Sequence, residues 1–321
     1  MTQHTFTAEN WPIAATTLSF SGVTTSGVSV QDAGEDVWGA AMAEIAHEGF
    51  TEVDITDSWI KPGDLTASRL EALKSVAHDE GLTIEAISAI RRSVIDPLAW
   101  EDNLAYSHRT IDAAVALGCS VVSVGLHRPL LEAQQRALWF WTADGPSDPT
   151  DQETWQLAVT RLRDLGDHAS SVGIGLSLEM YEDTLIGTAD SAVRLVEDIG
   201  HSSVGLNPDL GNLHRLHRPV EPFLDSVAKC VPYANYWHVK GYSRIEDSTN
   251  GTIMTAPVPM EASTMNYRAA IKMALQAGFS GAFCTEHYGG DGLAVSARNR
   301  DYIRRLLAFD LSDAFSPEVV R

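Results

Sequence analysis

The chain has 321 residues, 23 of them Lys or Arg and 43 Asp or Glu, giving a formal charge of −20. An apolar fraction of 44% fills a core, which excludes general disorder; the length suits one large α/β barrel or two ordinary domains. An acidic surface repels phosphate backbones and anionic lipid, so neither nucleic acid nor membrane is expected as a partner.

Residues 1–10 are polar and carry no apolar signal-peptide stretch, and no apolar run approaches the roughly 20 residues of a membrane span. A soluble, cytoplasmic protein is expected. Cys119, Cys230 and Cys284 are far apart and form no CxxC pair, so each is expected in the core as a small apolar residue.

From residue 13 onward, short β-branched runs alternate with longer amphipathic segments. Strands are predicted at 13–18, 52–55, 83–90 and 120–126, with helices at 37–47, 66–80 and 104–117 between them. The second half repeats the theme. Strands are predicted at 173–179, 204–207, 236–240 and 281–286, and helices at 155–171, 188–199, 222–231, 267–276 and 295–307. Gly49, Gly81, Gly118 and Gly200 stand where helix-ending glycines belong. Eight such units predict a (β/α)8 TIM barrel, with a doubly wound sheet disfavoured by the count and by the lack of a nucleotide glycine motif. No linker divides the chain, so residues 1–321 read as one domain. Two insertions, 129–151 after the fourth strand and 243–264 after the seventh, are expected on the active-site face.

Such barrels build their sites at the C-terminal ends of strands. The fifth predicted strand ends in Glu179, the sixth runs into Asp209, the seventh contains His238 and the eighth ends in Glu286. Three unpaired carboxylates repel one another, and a divalent cation removes the repulsion. Oxygen-rich ligation with one imidazole suits Mn²⁺ best, with Mg²⁺, Co²⁺ or Zn²⁺ as alternatives, and leaves positions open for substrate oxygens. His127 ends the fourth strand and is a candidate base. Arg91 and Arg92 follow the third strand; alternation lets one of them face the site, leaving the other as a surface charge. Lys240 shares the face of His238. Trp139, Phe140 and Trp141 offer an aromatic wall or a subunit interface, and His287 and Tyr288 follow Glu286. Asp57 and Glu182 are weaker candidates, Glu182 as a residue that orients a ligand.

The order Glu179, Asp209, His238, Glu286, with His238-Val-Lys240 as an H-x-K strand, resembles the sugar phosphate isomerase/epimerase superfamily of xylose isomerase-like barrels over roughly residues 13–307. The resemblance implies that these four residues bind the metal and that Glu179 and Glu286 act as acid and base. One departure stands out. Epimerases of the superfamily often carry D-x-x-H after the sixth strand, whereas here Asn212 occupies the His position. More narrowly, AIRRSVIDP (89–97), VGLHRPLLEAQQRALWFWT (124–142) and NPDLGNLHR (207–215) resemble the α subunit of bacterial C-glycoside deglycosidases. That resemblance implies cleavage of the C–C bond between a 3-oxo sugar and an aromatic aglycone, with a small β subunit as partner in a hetero-oligomer. The catalytic residues would then be His127, Glu179 and Glu286, with Arg91, Lys240, Trp139, Trp141 and His287 on the substrate. The alternative is a sugar (phosphate) isomerase or ketose 3-epimerase using the same metal site.

Overall fold

The computed structural model describes residues 6–312. Its main sheet has eight parallel strands in the order β6-β5-β4-β3-β2-β1-β10-β7. They are β1 (Ile13–Thr16), β2 (Glu52–Thr56), β3 (Thr83–Ala89), β4 (Val121–Gly125), β5 (Gly175–Glu179), β6 (Val204–Asn207), β7 (Trp237–Val239) and β10 (Phe283–Thr285). Helices α1 (Glu35–His47), α2 (Ala67–Asp79), α3 (Trp100–Leu117), α5 (Gln152–Ser171), α6 (Ala189–Ile199), α8 (Phe223–Cys230), α9 (Tyr267–Gln276) and α10 (Gly292–Asp310) follow the strands in turn. This is the (β/α)8 TIM barrel that the alternating pattern predicts. Gly118 and Gly200 do end α3 and α6, in the left-handed conformation that other residues adopt only under strain (φ 85° and 61°).

The ring closes between β6 and β7 by a seam rather than a ladder. The Asn235 amide donates to the Leu206 carbonyl (3.1 Å). The rest of the seam is made by side chains. Asn207 Oδ1 accepts from the His238 amide (2.7 Å), and its Nδ2 donates to Ser123 Oγ (3.1 Å). Asn235 Nδ2 donates to the Leu176 carbonyl (3.0 Å). The barrel interior is layered. At its lower end Ala14, Ala86, Val121, Ala282 and Cys284 surround Tyr236, the alanines leaving room for the ring. Above lies a buried polar layer that includes Asp54, Ser88, Ser123, Ser177, Asn207 and His238.

Some boundaries differ from the sequence reading. The first strand stops at Thr16, because its Oγ1 accepts from the Leu18 amide (3.1 Å) and turns the chain into a 3-10 turn. The insertion after β4 contains the short helix α4 (Glu132–Arg136) and a 3-10 turn at Phe140–Thr142. It is tied to the loop after β5: the Asp148 amide donates to the Asp183 carbonyl (2.8 Å) and Asp148 Oδ2 accepts from the Leu185 amide (3.1 Å). The second insertion is not a loop but a hairpin of β8 (Gly241–Asp247) and β9 (Thr252–Val258), paired antiparallel. Asn250-Gly251 at its tip is the turn signal that a loop reading of 243–264 passes over. The hairpin is fastened to the short helix α7 (Gly211–His214) and the residues after it. Arg244 donates to the carbonyls of His214, Leu216 and Arg218, and His214 Nε2 bonds Thr264 Oγ1 (2.9 Å). The three cysteines are buried and free. Among the described residues no helix is long and apolar enough to cross a membrane.

Two expectations follow. Asn207→Ala strips partners from the buried His238 amide and Ser123, and should cost about 2 kcal/mol in urea unfolding. Burial, aided by Arg244, depresses the His214 pKa to about 4. The fold therefore favours neutral His214, so its contribution is complete above its unfolded pKa and is lost as pH falls from about 6.5 towards 4. Thermal unfolding midpoints at pH 7 and pH 5 should differ less in His214→Gln than in the parent.

Candidate active site

The carboxylates and the imidazole singled out in the sequence meet at the barrel mouth because each carboxylate stands at or just past the end of its strand and the imidazole stands within the short β7. Glu179 ends β5, Asp209 lies two residues beyond β6, His238 is central in β7 and Glu286 follows β10. All four side chains are buried. Ligand atoms of Glu179, Asp209 and His238 lie within 4.8 Å of one another. Glu286 stands outside that threesome but is joined to it through Lys240, whose ammonium donates to Asp209 Oδ2 (2.6 Å) and to Glu286 Oε1.

Asp54 is the residue the sequence reading misses. It lies mid-strand in β2, fully buried, and its Oδ2 accepts from Tyr236 OH (2.6 Å), Ser88 Oγ (2.7 Å) and His238 Nε2 (3.1 Å). The Nε2 proton of His238 is thereby committed to Asp54. Its Nδ1, buried and without a hydrogen-bond partner, lies 3.9 Å from Glu179 Oε2; burial opposes a charge on the ring, but Cys284, Asp54 and Glu179 outweigh it and raise the His238 pKa, so without a cation Nδ1 carries a proton that a bound metal would displace. Asp209 Oδ1 is likewise buried and unpartnered. One free imidazole nitrogen and one free carboxylate oxygen beside a second carboxylate form a donor set suited to a hard or borderline divalent cation.

Lys240 changes the electrostatic argument, since it neutralises part of the carboxylate charge. Burial pushes the Asp209 carboxyl well above its ordinary range; Lys240 pulls the other way, and Glu286 and Glu179 add to the rise. In Glu286 burial is outweighed by Lys240, His238 and the hydrogen bond with Asp209, so this carboxyl titrates lower than usual. In Glu179 burial is outweighed by the hydrogen bond and charge of His127, then by His238 and Lys240, which hold it below the carboxylate range. Without a cation, Asp209 is thus the carboxyl that holds a proton most readily, and Glu179 and Glu286 are the ones that release it most readily.

His127 belongs to the same cluster. Its Nε2 is 3.5 Å from Glu179 Oε1, its ring packs on Tyr181 (4.1 Å between centroids), and its Nδ1 is unpartnered. The chain folds back so tightly here that a Cβ on Gly125 would lie 2.1 Å from His127 Cε1. Asn212, in the position where epimerases carry His, donates to Glu179 Oε1 (3.4 Å) and to the Met180 carbonyl (3.0 Å), so it holds Glu179. His214 and His217 bond Thr264 and Thr255 instead.

Of the two arginines after β3, Arg91 faces the mouth. It takes φ 57° and donates to the Arg128 carbonyl (3.1 Å) and to Tyr181 OH (3.4 Å). Arg92 is not the free surface charge expected but pairs with the buried Asp57 (2.9 Å) and lies over the Tyr106 ring. Trp139 stacks on Trp141 (5.1 Å) and covers Gly289. Trp141 is buried edge-on to Tyr242 and Tyr288. His287 sits at the rim, half-buried with Nδ1 unpartnered. Glu182 grips the fully buried Arg215, both carboxylate oxygens lying 3.0 Å from its NH2.

The family described as xylose isomerase-like TIM barrel matches residues 42–309. The chain belongs to this family. A xylose isomerase-like TIM barrel protein from Mycobacterium smegmatis, crystallised in complex with magnesium, is 45% identical, with a TM-score of 0.92 over 96% of this chain and 100% of that one. A D-psicose 3-epimerase from Enterocloster bolteae is 21% identical over 72% of this chain and 74% of its own. The 3-keto-D-glucoside 4-epimerase of E. coli shares the fold (TM-score 0.64, 92% of this chain and 100% of that chain) at 14% identity.

Asp54→Ala frees the His238 tautomer and should weaken Mg²⁺ or Mn²⁺ binding about 10- to 100-fold in calorimetric titration.

Proposed function

We propose that this protein is a divalent-metal-dependent sugar isomerase or epimerase, moving a proton on the carbon beside a sugar carbonyl. The observation that carries this reading is the donor set itself: buried, unpartnered His238 Nδ1 and Asp209 Oδ1 beside the ionised Glu179. The magnesium complex of the M. smegmatis relative supports the cation, and the two epimerases named above act on carbonyl sugars. Residues Glu179, Asp209, His238 and Glu286 would hold the metal, which when bound supplies Lewis-acid polarisation of the carbonyl. Mn²⁺ remains the expected ion on ligand chemistry, and Mg²⁺ is what the relative carries.

The chain's own groups do the proton work. Glu179, ionised and held by Asn212 and His127, takes the proton from carbon. Glu286 returns one to the opposite face or to the neighbouring carbon. Lys240 holds Asp209 and Glu286 in register for that return. The buried positions of all these groups exclude water from the reacting carbon.

A second reading, a C–C lyase acting on 3-oxo-C-glycosides with a small β subunit, is favoured by one specific observation. Beside His127 the rings of Tyr181, Phe140, Trp141 and Tyr288 form one aromatic cluster, side chains of the kind that hold an aromatic aglycone. In that reading His127 takes the proton from C2 of the sugar, the C1–aryl bond breaks as the C1–C2 double bond forms, and the aryl carbon takes that proton from His127.

The test is hydrogen exchange in ²H₂O. Metal-loaded protein should wash deuterium into a ketose beside its carbonyl, EDTA should abolish this, and Glu179→Gln should slow it at least about 10²-fold. Release of an aglycone from a 3-oxo-C-glycoside without exchange into free ketoses would replace the isomerase reading with the lyase.

A further inference from the structure

Arg215 is unusual among the groups around the mouth. It lies six residues beyond Asp209 and is fully buried, yet only its NH2 has a hydrogen-bond partner, Glu182. Its Nε and NH1 have none. The guanidinium is boxed by rings, 4.7 Å from the centroids of Phe140 and Trp141 and 5.6 Å from those of Tyr181 and Tyr288. Aromatic faces compensate a cation's charge but accept no conventional hydrogen bond, so besides Glu182 the Tyr242 hydroxyl is the one oxygen that approaches the guanidinium among the described residues. The indole N–H of Trp141 is buried and unpartnered in the same way, as is the hydroxyl of Tyr242.

The box adjoins the candidate active site on two sides. The Tyr288 ring carries Arg215 on one contact and the Lys240 ammonium on another (5.3 Å), so a single ring separates Arg215 from the carboxylate cluster. The Tyr181 ring likewise lies between Arg215 and His127. Charge is unbalanced here. Glu182 offsets Arg215, Asp148 faces Arg128 and Asp183 pairs with Arg218. Arg91, whose guanidinium lies over the rings of Phe140 and Tyr181, has no ion pair among the described residues. The rings shared by Arg91 and Arg215 therefore carry one positive charge in excess, next to donors without acceptors.

We infer that Arg215, with Arg91, is a specificity-determining anion site, and that the sugar processed here carries a carboxylate. This rests on the enolising reading of the site and names its substrate class. The donors left open are N–H groups, which select acceptor oxygens, and the excess charge selects an anion over a neutral hydroxyl. A phosphate is disfavoured because the usual phosphate place in such barrels, the helix start after the last strand, is taken. The Asp291 carboxylate there caps α10 by accepting from the Ala294 amide (3.0 Å), and Trp139 lies on Gly289, where an added Cβ would come within 2.8 Å.

The experiment compares three sugars on the Mg²⁺-loaded protein: D-fructose, 5-keto-D-gluconate and D-fructose 6-phosphate, titrated by calorimetry and by tryptophan fluorescence. The keto acid should bind at least ten-fold tighter than fructose and tighter than the phosphate, and Trp141→Phe should remove most of the fluorescence response. Arg215→Gln should abolish the preference for the keto acid. Glu182→Gln, which removes a carboxylate facing the same guanidinium, should tighten keto-acid binding several-fold, a gain that a misfolded protein does not show. Equal affinity for the three sugars, preference for the phosphate, or a preference that survives Arg215→Gln overturns the inference. Deuterium exchange run beside the titrations separates the two claims. Exchange into fructose with no preference for the keto acid sinks the anion site alone. Tight keto-acid binding with no metal-dependent exchange into either sugar leaves the anion site standing and sinks the enolising reading.

Discussion

One carboxylate, Asp54, organises the middle of the barrel. It is buried on β2, and it collects hydrogen bonds from Ser88 on β3, from Tyr236 just before β7 and from His238 within it. Three donors converge on its Oδ2, and removing one of them leaves a buried polar group less compensated. Because Asp54 fixes the His238 proton on Nε2, it also decides which imidazole nitrogen faces Glu179 and Asp209. The polar layer below the mouth and the donor set within it therefore share one constraint. The seam beside them reinforces it, since the Asn207 side chain that closes the barrel holds the His238 backbone.

Most of the scaffold was legible from periodicity, and so was the identity of the clustered side chains. A polar residue ending an otherwise apolar barrel strand has few places to go except the mouth, which is why Glu179 and Glu286 could be placed from sequence. Asp54 could not. It sits inside EVDIT, where an inward polar residue and an outward one look alike without the twist and shear of the barrel. Arg215 was hidden for a different reason. Its burial comes from rings supplied by the insertion after β4 and by the loops after β5 and β10, and no local pattern announces a contact made from three directions. Lys240 was visible as a neighbour of His238, but its two hydrogen bonds, to Asp209 and to Glu286, depend on the approach of α7, where Gly211 leaves room for its stem.

The layered arrangement separates two tasks physically. Groups that hold or move protons stand on strand ends and are fixed by strand-borne partners such as Asp54, Ser88 and Asn207. The groups proposed to contact a bound molecule stand on loops and insertions: Phe140, Trp141, Tyr181, Arg215 and Tyr288. Relatives on the same fold at 14 to 21% identity carry different substrate names. Loop residues can vary in this way without disturbing the hydrogen bonds of the barrel centre.

The hairpin of β8 and β9 carries a consequence for how this roof is inherited. A single guanidinium, that of Arg244, satisfies three successive-turn carbonyls at and beyond the end of α7, and those carbonyls flank Arg215 itself. Trimming the hairpin would expose three acceptors and release the segment that carries Arg215. Grafting the segment onto another barrel without the hairpin would leave it without a fastening. The two stretches, about thirty positions apart in the chain, are one mechanical module, so a change in either calls for a change in the other.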